Sequence, residues 1–104
     1  MNPEKIYLDI DGTITYEDSD FHNRPAQHLQ EFLEALQPYD VYWLTSHGRD
    51  GTLEHIYRVL SHRFSAELFA LVKNFKPTTW DTYKTEAIDL NSNFIWIDNQ
   101  IMYF

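Results

Sequence analysis

One apolar stretch near the start of the chain runs directly into two acidic residues, and it constrains the fold more than any other feature. Residues 6–10 are β-branched, aromatic or aliphatic apart from Asp9, and Asp11, Gly12 and Thr13 follow. A short continuous apolar run of this kind predicts a buried strand. Side chains alternate between the two faces of a strand, so Asp9 and Asp11 are expected on one side at its C-terminal end. Burying a carboxylate is costly unless it is paired or binds a metal, so the two acids indicate a cation site or a reaction centre.

The composition predicts one packed domain covering residues 1–104. Apolar residues make up 43% of the chain, which excludes disorder. Eight basic against sixteen acidic residues give a net charge of −8, which argues against a broad nucleic-acid-binding surface. The absence of cysteine excludes disulfides, zinc–thiolate sites and thiol nucleophiles. No apolar signal region or membrane-spanning run is present, so we expect a cytoplasmic protein with no membrane partner.

Helix and strand patterns alternate after the first strand. The polar segment Tyr16–Arg24 is expected to form a surface loop or small hairpin, with a mobile flap near the site as the alternative. A helix is expected from Pro25 to Pro38, because apolar residues recur there at helical spacing. A second helix is expected from Asp50 to about His62.

Three further strands and one short helix complete the pattern. The strands are expected at Val41–Leu44, Phe69–Val72 and Phe94–Ile97, although Ala66–Leu71 fits a helix equally well. The short helix is expected to have Thr82 as its N-cap and to bury its apolar residues, which are Ala87, Ile88 and Leu90. The order β-α-β-α-β-α-β predicts an α/β fold, a three-layer α/β/α Rossmann-like arrangement with a parallel sheet of about four strands.

Polar residues follow the predicted strands at their carboxyl ends, where open α/β sheets bind ligands. These residues are Asp9, Asp11, Thr45, Ser46 and Asp98. Carboxylates from two strand ends form an all-oxygen site that suits Mg²⁺. Lys84, in the first turn of the short helix, and the hydroxyl of Thr45 are donors for phosphate oxygens.

Four segments resemble, in order, the motifs of the haloacid dehalogenase-like (HAD-like) superfamily of phosphatases and phosphotransferases. Asp9-Ile10-Asp11-Gly12-Thr13 resembles the first motif, and Val41-Tyr42-Trp43-Leu44-Thr45 resembles the second. Lys84 resembles the third, a lysine that opens the helix before the last motif strand. Ile95-Trp96-Ile97-Asp98 resembles the fourth, a strand that ends in an acid. The resemblance spans Ile6–Asn99 and is to a small member without a cap domain.

The resemblance implies a role for each matched residue. Asp9 would be the nucleophile and a Mg²⁺ ligand, and Asp11 would be the general acid/base with its backbone carbonyl on the metal. Thr45 and Lys84 would hold the transferring phosphoryl group, and Asp98 would be the remaining acidic metal ligand. The implied activity is that of a Mg²⁺-dependent phosphoric monoester hydrolase with a phospho-aspartate intermediate on Asp9.

Some features leave alternatives open. Asn99 stands where many relatives have a second acid, which predicts weaker metal affinity, and Lys73 and Lys76 compete with Lys84 for the phosphate-binding role. No cap domain and no fifth strand are expected, so an open site suits a large phosphorylated substrate, or enclosure by a partner protein or an oligomer. The alternative functions are a catalytically degenerate domain that binds a phosphorylated ligand or a protein partner, and a nucleic-acid end phosphatase. A minor substrate contact by His47 is the remaining candidate.

Overall fold

The computed structural model describes residues 3–99 as an α/β domain with a three-stranded parallel sheet, an antiparallel hairpin and three α-helices. The strands are β1 (Lys5–Leu8), β2 (Thr15–Glu17), β3 (Asn23–Pro25), β4 (Asp40–Trp43) and β5 (Phe94–Ile97). The helices are α1 (Leu29–Ala35), α2 (Leu53–Ser61) and α3 (Ala66–Val72), with 3-10 helices at Ser46–Gly48 and Lys84–Ala87. None of the helices within residues 3–99 is long and apolar enough to cross a membrane.

Strand β1 is the centre of the sheet, with β4 on one side and β5 on the other, both parallel to it. Leu8 lies opposite Ile97 in the register, so the residues that follow them leave the sheet at the same level. The backbone N–H of Asp9 donates to the carbonyl of Ile97 at 3.0 Å, which fixes this alignment. The predicted α/β class with a parallel sheet is confirmed, and the first acidic residue follows its central strand.

The two faces of the sheet carry separate cores, as the alternation of side chains along β1 requires. Ile6 and Leu8 belong to the larger core, which also receives buried side chains from all three α-helices, among them Leu33, Ile56 and Val72. The smaller core forms around Tyr7, Leu44 and Ile88. Its cover is the segment that contains the 3-10 helix Lys84–Ala87. Within residues 3–99 the α-helices therefore pack on one face of the sheet, whereas they were expected on both.

The third strand expected at Phe69–Val72 is wrong, because these residues lie in α3. The side chain of Ser65 accepts a hydrogen bond from the backbone N–H of Leu68 at 3.3 Å and caps this helix. An apolar run of four residues fits a strand or a helix equally well, and here the cap decides in favour of the helix.

No strand replaces the expected one beside β4 within residues 3–99, where Lys76 forms an isolated backbone bridge instead. Lys76 donates to the carbonyl of Val41 at 2.9 Å and accepts from the N–H of Trp43 at 2.8 Å. The sheet formed by residues 3–99 therefore has three strands rather than about four.

The short helix expected after Thr82 is the 3-10 helix Lys84–Ala87, which begins one residue later than expected. The carboxylate of Glu86 accepts from the backbone N–H groups of Asp81, Thr82 and Tyr83, which holds these three residues outside the helix. Ile88 is buried as expected, but Leu90 is 66% exposed, so its predicted burial is wrong.

The polar segment after β1 forms a small hairpin, β2–β3, as one of the sequence alternatives predicted. The carboxylate of Asp18 holds its turn by accepting from the N–H groups of Asp20 and His22 and from Nε of Arg24. Pro25 ends β3 instead of beginning α1, which corrects the expected start of that helix. Helix α1 begins only after His28, whose backbone is left-handed with φ of 61°.

Candidate active site

A cleft of about 560 Å³ opens at the carboxyl edge of the sheet. Its lining combines predicted site residues with aromatic and hydroxyl side chains: Asp9, Asp11, Ser46, Trp80, Thr82, Tyr83, Lys84, Thr85, Trp96 and Asn99. The strand-end rule thus brings residues from distant parts of the chain to one place.

Asp9 leaves the central strand into this cleft and is almost completely buried, with 9% of its side chain exposed. The ammonium Nζ of Lys84 lies 3.2 Å from Asp9 Oδ2. Burial raises the pKa of the Asp9 carboxyl, and the hydrogen bond from the Ile10 backbone and the charge of Lys84 only partly offset this effect. The nearby charge of Asp98 raises the pKa further. The hydrogen bond and the positive charge near Asp9 therefore offset only part of the cost of burying its ionised carboxylate.

Lys84 also binds Asp98, the residue that follows β5. Its Nζ lies 2.7 Å from Asp98 Oδ2, and the side chain of Asp98 is 1% exposed. One ammonium thus serves two buried carboxylates, which leaves the group of three with a formal charge of −1. The competing lysine Lys76 instead pairs with Asp40 at 2.7 Å, at the amino end of β4. Of the three lysines considered from the sequence, Lys84 is the one that lines the cleft.

Asp11 is half exposed and is held by two basic residues of later segments. Arg63 Nη1 lies 2.5 Å from Asp11 Oδ1 and also donates to Thr15 Oγ1 at 3.2 Å. Nε2 of His47 lies 2.5 Å from Asp11 Oδ2. Burial raises the pKa of the Asp11 carboxyl, but the hydrogen bonds from Arg63 and His47 outweigh it, and the pKa is lowered. Asp11 and Asp9 thus have pKa values displaced in opposite directions.

Thr45 is buried beside the cleft and does not line it. Its Oγ1 accepts from the backbone N–H of His47 at 3.2 Å and caps the 3-10 helix Ser46–Gly48. The neighbouring hydroxyl of Ser46 is exposed and lines the cleft. Ser46, the other hydroxyl residue at this strand end, is therefore better placed than Thr45 to contact a ligand in the cleft.

Asn99 packs against the backbone of Gly12, across the loop that carries Asp11. Gly12 has φ of +74°, a conformation that favours glycine. A Cβ atom added at position 12 would lie 2.9 Å from Cγ of Asn99, so the packing of Asn99 also favours glycine at this position. Asn99 lines the cleft and supports the first acidic loop, whereas the sequence marked it only as the replacement of a second acid.

Sequence reasoning missed several residues of the site. Arg63 is 52 positions from Asp11, and nothing in the sequence marks it as the partner of that residue. Trp80 lines the cleft from a loop, and no pattern in the sequence marks it as a site residue. The position of Trp96 could have been predicted in part, because side chains alternate along β5 and this places Trp96 on the same face of the sheet as Phe94.

The oxygen donors at this edge fit Mg²⁺. Asp9 and Asp98 present carboxylates with a single ammonium between them, and hard oxygen ligands with an excess of negative charge suit this ion. The resemblance implies only the backbone carbonyl of Asp11 as a metal ligand, and the Asp11 carboxylate is bound to Arg63 and His47. Within residues 3–99, the group of three possible ligand side chains with donor atoms within 4.8 Å of one another is Asp18, Asp20 and His22, of which Asp20 and His22 are exposed.

Asp9, Asp11 and Lys84 thus line one cleft, Asp98 supports it through Lys84, and Thr45 lies behind its wall. Comparison with protein-family models, with curated proteins and with solved structures finds no match for this chain. The geometry of the site, together with the resemblance of its motifs, is the basis for a functional assignment.

Proposed function

We propose that this protein is a phosphoric monoester hydrolase with a capless HAD-like Rossmann core, in which Asp9 is the nucleophile. The observation that carries the proposal is the position of Asp9 at the end of the central strand, beside Lys84, which also binds Asp98. An ammonium at this point offsets the repulsion between an anionic nucleophile and an anionic phosphate. Between β1 and α1 the described chain contains only the β2–β3 hairpin, which supports a site open to substrate.

The proposed reaction has two displacement steps. A carboxylate oxygen of Asp9 attacks phosphorus, the bond from phosphorus to the ester oxygen breaks, and the leaving alkoxide takes a proton from Asp11. Water then attacks the acyl phosphate, the bond from phosphorus to the Asp9 oxygen breaks, and Asp11 receives the water proton. Lys84 holds the phosphoryl oxygens by charge in both steps.

Mg²⁺ would be held by the carboxylates of Asp9 and Asp98 and by the backbone carbonyl of Asp11. When bound, it would neutralise charge on the phosphoryl oxygens. The Asp11 side chain, which contacts Arg63 and His47, is then left for proton transfer.

A second candidate function is binding of a phosphorylated ligand without turnover. The observation that favours it is the lowered pKa of Asp11, since Arg63 and His47 stabilise the ionised form and a proton donor must be protonated. A nucleic-acid end phosphatase remains a narrower version of the first proposal, which the net charge of −8 disfavours.

Phosphate release from a generic aryl phosphate, with and without Mg²⁺, tests the first candidate. The unaltered protein should release phosphate only with Mg²⁺, and Asp9→Asn should lower the rate at least about 10³-fold. The matched control is Asp20→Asn, the same chemical change on the exposed hairpin, which should leave the rate unchanged. Activity that survives Asp9→Asn would contradict the assignment of the nucleophile. Stabilisation by phosphorylated ligands without any phosphate release would favour the second candidate.

A further inference from the structure

Three aromatic side chains line the cleft, and together we call them the aromatic wall: Trp80, Tyr83 and Trp96. Tyr83 immediately precedes Lys84 in the chain and is 68% exposed. An anion held by Lys84 therefore has aromatic surface beside it. A wall of this kind suits a planar group, because offset stacking on aromatic rings is favourable for any ring system.

Packing holds the two tryptophans of this wall in place. Trp80 and Trp96 both pack on the smaller core, which is formed by Tyr7, Leu44 and Ile88. The guanidinium of Arg49 lies 4.8 Å from the centroid of the Trp80 ring, which fixes that ring further. The rings are thus pre-organised before any ligand binds, which limits the entropy lost on binding.

The indole N–H groups of Trp80 and Trp96 are buried and have no hydrogen-bond partner within residues 3–99. An indole nitrogen only donates, and a buried donor without a partner destabilises a protein. Trp43 shares this property, but it lies in the larger core away from the cleft. The indole nitrogens of both tryptophans of the aromatic wall are enclosed by protein, so the wall offers a ligand ring surface for stacking.

Hydroxyl groups also line the cleft. They belong to Ser46, Thr82 and Thr85. Hydroxyls that both donate and accept suit the hydroxyls of a sugar. The cleft volume of about 560 Å³ lies within the range of about 300–1,000 Å³ that is usual for small-ligand sites.

We infer that the substrate is a nucleoside monophosphate, with its phosphate at Asp9 and Lys84 and its base against the aromatic wall. This inference rests on the proposed phosphatase function and specifies its substrate class. A single phosphate matches the single lysine of the lining, and the net charge of −8 opposes a longer polyanion. Hydrolysis would break the bond from phosphorus to the ester oxygen and give a nucleoside and inorganic phosphate.

Calorimetric binding to the Asp9→Asn variant in Mg²⁺ tests the inference without turnover. The matched ligands are adenosine 5′-monophosphate and ribose 5-phosphate, which differ only in the base. The nucleotide should bind at least about tenfold more tightly, because stacking of a base usually contributes that much. Equal affinities would overturn the base site and leave the phosphatase proposal standing. Failure of both ligands to bind would overturn the inference, and absence of phosphate release by the unaltered protein would separately overturn the phosphatase proposal.

Variants of the aromatic wall test stacking directly. Trp80→Leu and Trp96→Leu should each reduce the preference for the nucleotide while keeping the affinity for ribose 5-phosphate. Trp80→Phe and Trp96→Phe keep an aromatic ring, so they should retain part of the preference. Tyr16→Leu, on the exposed hairpin, is the control and should change neither affinity. An unchanged preference in both leucine variants would overturn the inference.

Two further ligands test the substrate class. Phenyl phosphate has a ring without the sugar, and a 5′-phosphorylated oligonucleotide has the same base within a polyanion. Both should bind more weakly than the mononucleotide. Tighter binding of either one would overturn the assignment to a mononucleotide, in favour of an aryl phosphate or a nucleic-acid end.

Discussion

The ammonium of Lys84 lies 2.7 Å from Oδ2 of Asp98, although fourteen residues separate the two in the chain. Lys84 opens the second 3-10 helix, and Asp98 directly follows β5. The side chain of Asp98 is 1% exposed, so its charge requires a counter-ion inside the protein. The same ammonium reaches Asp9 at 3.2 Å, which couples the end of the central strand to the end of its neighbour.

Replacing Lys84 by methionine should therefore destabilise the metal-free protein. Two buried carboxylates would lose their shared counter-ion, and we expect a decrease of about 2–4 kcal/mol in the free energy of unfolding. Mg²⁺ should restore part of this loss by supplying positive charge to the same oxygens. Urea unfolding with and without Mg²⁺ measures both effects, and Lys73→Met, at an exposed position, is the control. Stability of Lys84→Met that does not respond to Mg²⁺ would contradict the metal site.

The elements that position this pair were predictable from the sequence because their patterns are local. The run Phe94–Ile97 is a strand as expected, and β1 and β4 begin and end within two residues of their predictions. The rule that sites form at the carboxyl ends of parallel strands then brought Asp9 and Asp98 together. Helix α2 was also predictable, because Ile56 and Leu60 repeat at helical spacing and are buried.

Other parts depend on contacts that local patterns do not encode. The run at Phe69–Val72 became a helix because Ser65 caps it, and a four-residue apolar run carries no period of its own. The pairing of Arg63 with Asp11 depends on how α2 packs on the sheet, which no residue near either partner indicates. Thr45 is a strand-end hydroxyl as expected, but the tight turn that follows uses its oxygen as a cap.

Removing the charge of Asp9 should stabilise the metal-free protein at neutral pH. Burial raises the pKa of this carboxyl, so the folded state binds its proton more tightly than the unfolded state does. The stabilisation from this bound proton is complete below pH 3.8, the pKa of the carboxyl in the unfolded chain. It is lost as the pH rises through the pKa of the carboxyl in the folded protein. Asp9→Asn should thus increase the free energy of unfolding at pH 7, by more than the roughly 0.5 kcal/mol typical of surface changes.

Urea unfolding of Asp9→Asn and of the unaltered protein measures this difference. The gain should shrink as the pH falls, because Asp9 becomes protonated and uncharged in the unaltered protein. Asp20→Asn serves as the exposed control. A loss of stability at pH 7 for Asp9→Asn would show that the ionised carboxylate is fully compensated by Lys84.

Arg63 should hold the Asp11 carboxyl in its ionised form. In Arg63→Met we expect the pKa of Asp11 to rise, and NMR titration of the carboxyl group measures this change. The hydrogen bonds lower this pKa in the folded state. Their stabilisation is therefore present above pH 3.8, the pKa in the unfolded chain, and is lost as the pH falls through the pKa in the folded protein. At neutral pH the loss should be only about 0.5–1 kcal/mol, since half of the Asp11 side chain is exposed to solvent.

The matched control for this variant is Arg58→Met, which removes an exposed arginine of α2 paired with Glu54. It should leave the titration of Asp11 unchanged. An Asp11 pKa that stays the same in Arg63→Met would contradict the contact.

Gly12→Ala should destabilise the loop that carries Asp11. The positive φ of Gly12 should cost about 1–2 kcal/mol for alanine, and the new methyl group would also displace the side chain of Asn99. Repeating the substitution in an Asn99→Gly background separates the two effects, because it removes the crowding and keeps the backbone strain. Chemical denaturation should therefore give a smaller loss in that background. Equal losses in both backgrounds would show that Asn99 does not pack on Gly12 in solution.

The central claim is that Asp9 receives the phosphoryl group, and trapping the intermediate tests it most directly. The protein is mixed with an aryl phosphate and Mg²⁺, quenched with acid within the first turnover, and reduced with borohydride, which converts an aspartyl phosphate to homoserine. Peptide mass spectrometry should find homoserine at position 9, and nowhere else among the acidic residues of the cleft. Phosphate release without modification of Asp9, or modification at Asp11 or Asp98 instead, would contradict the account.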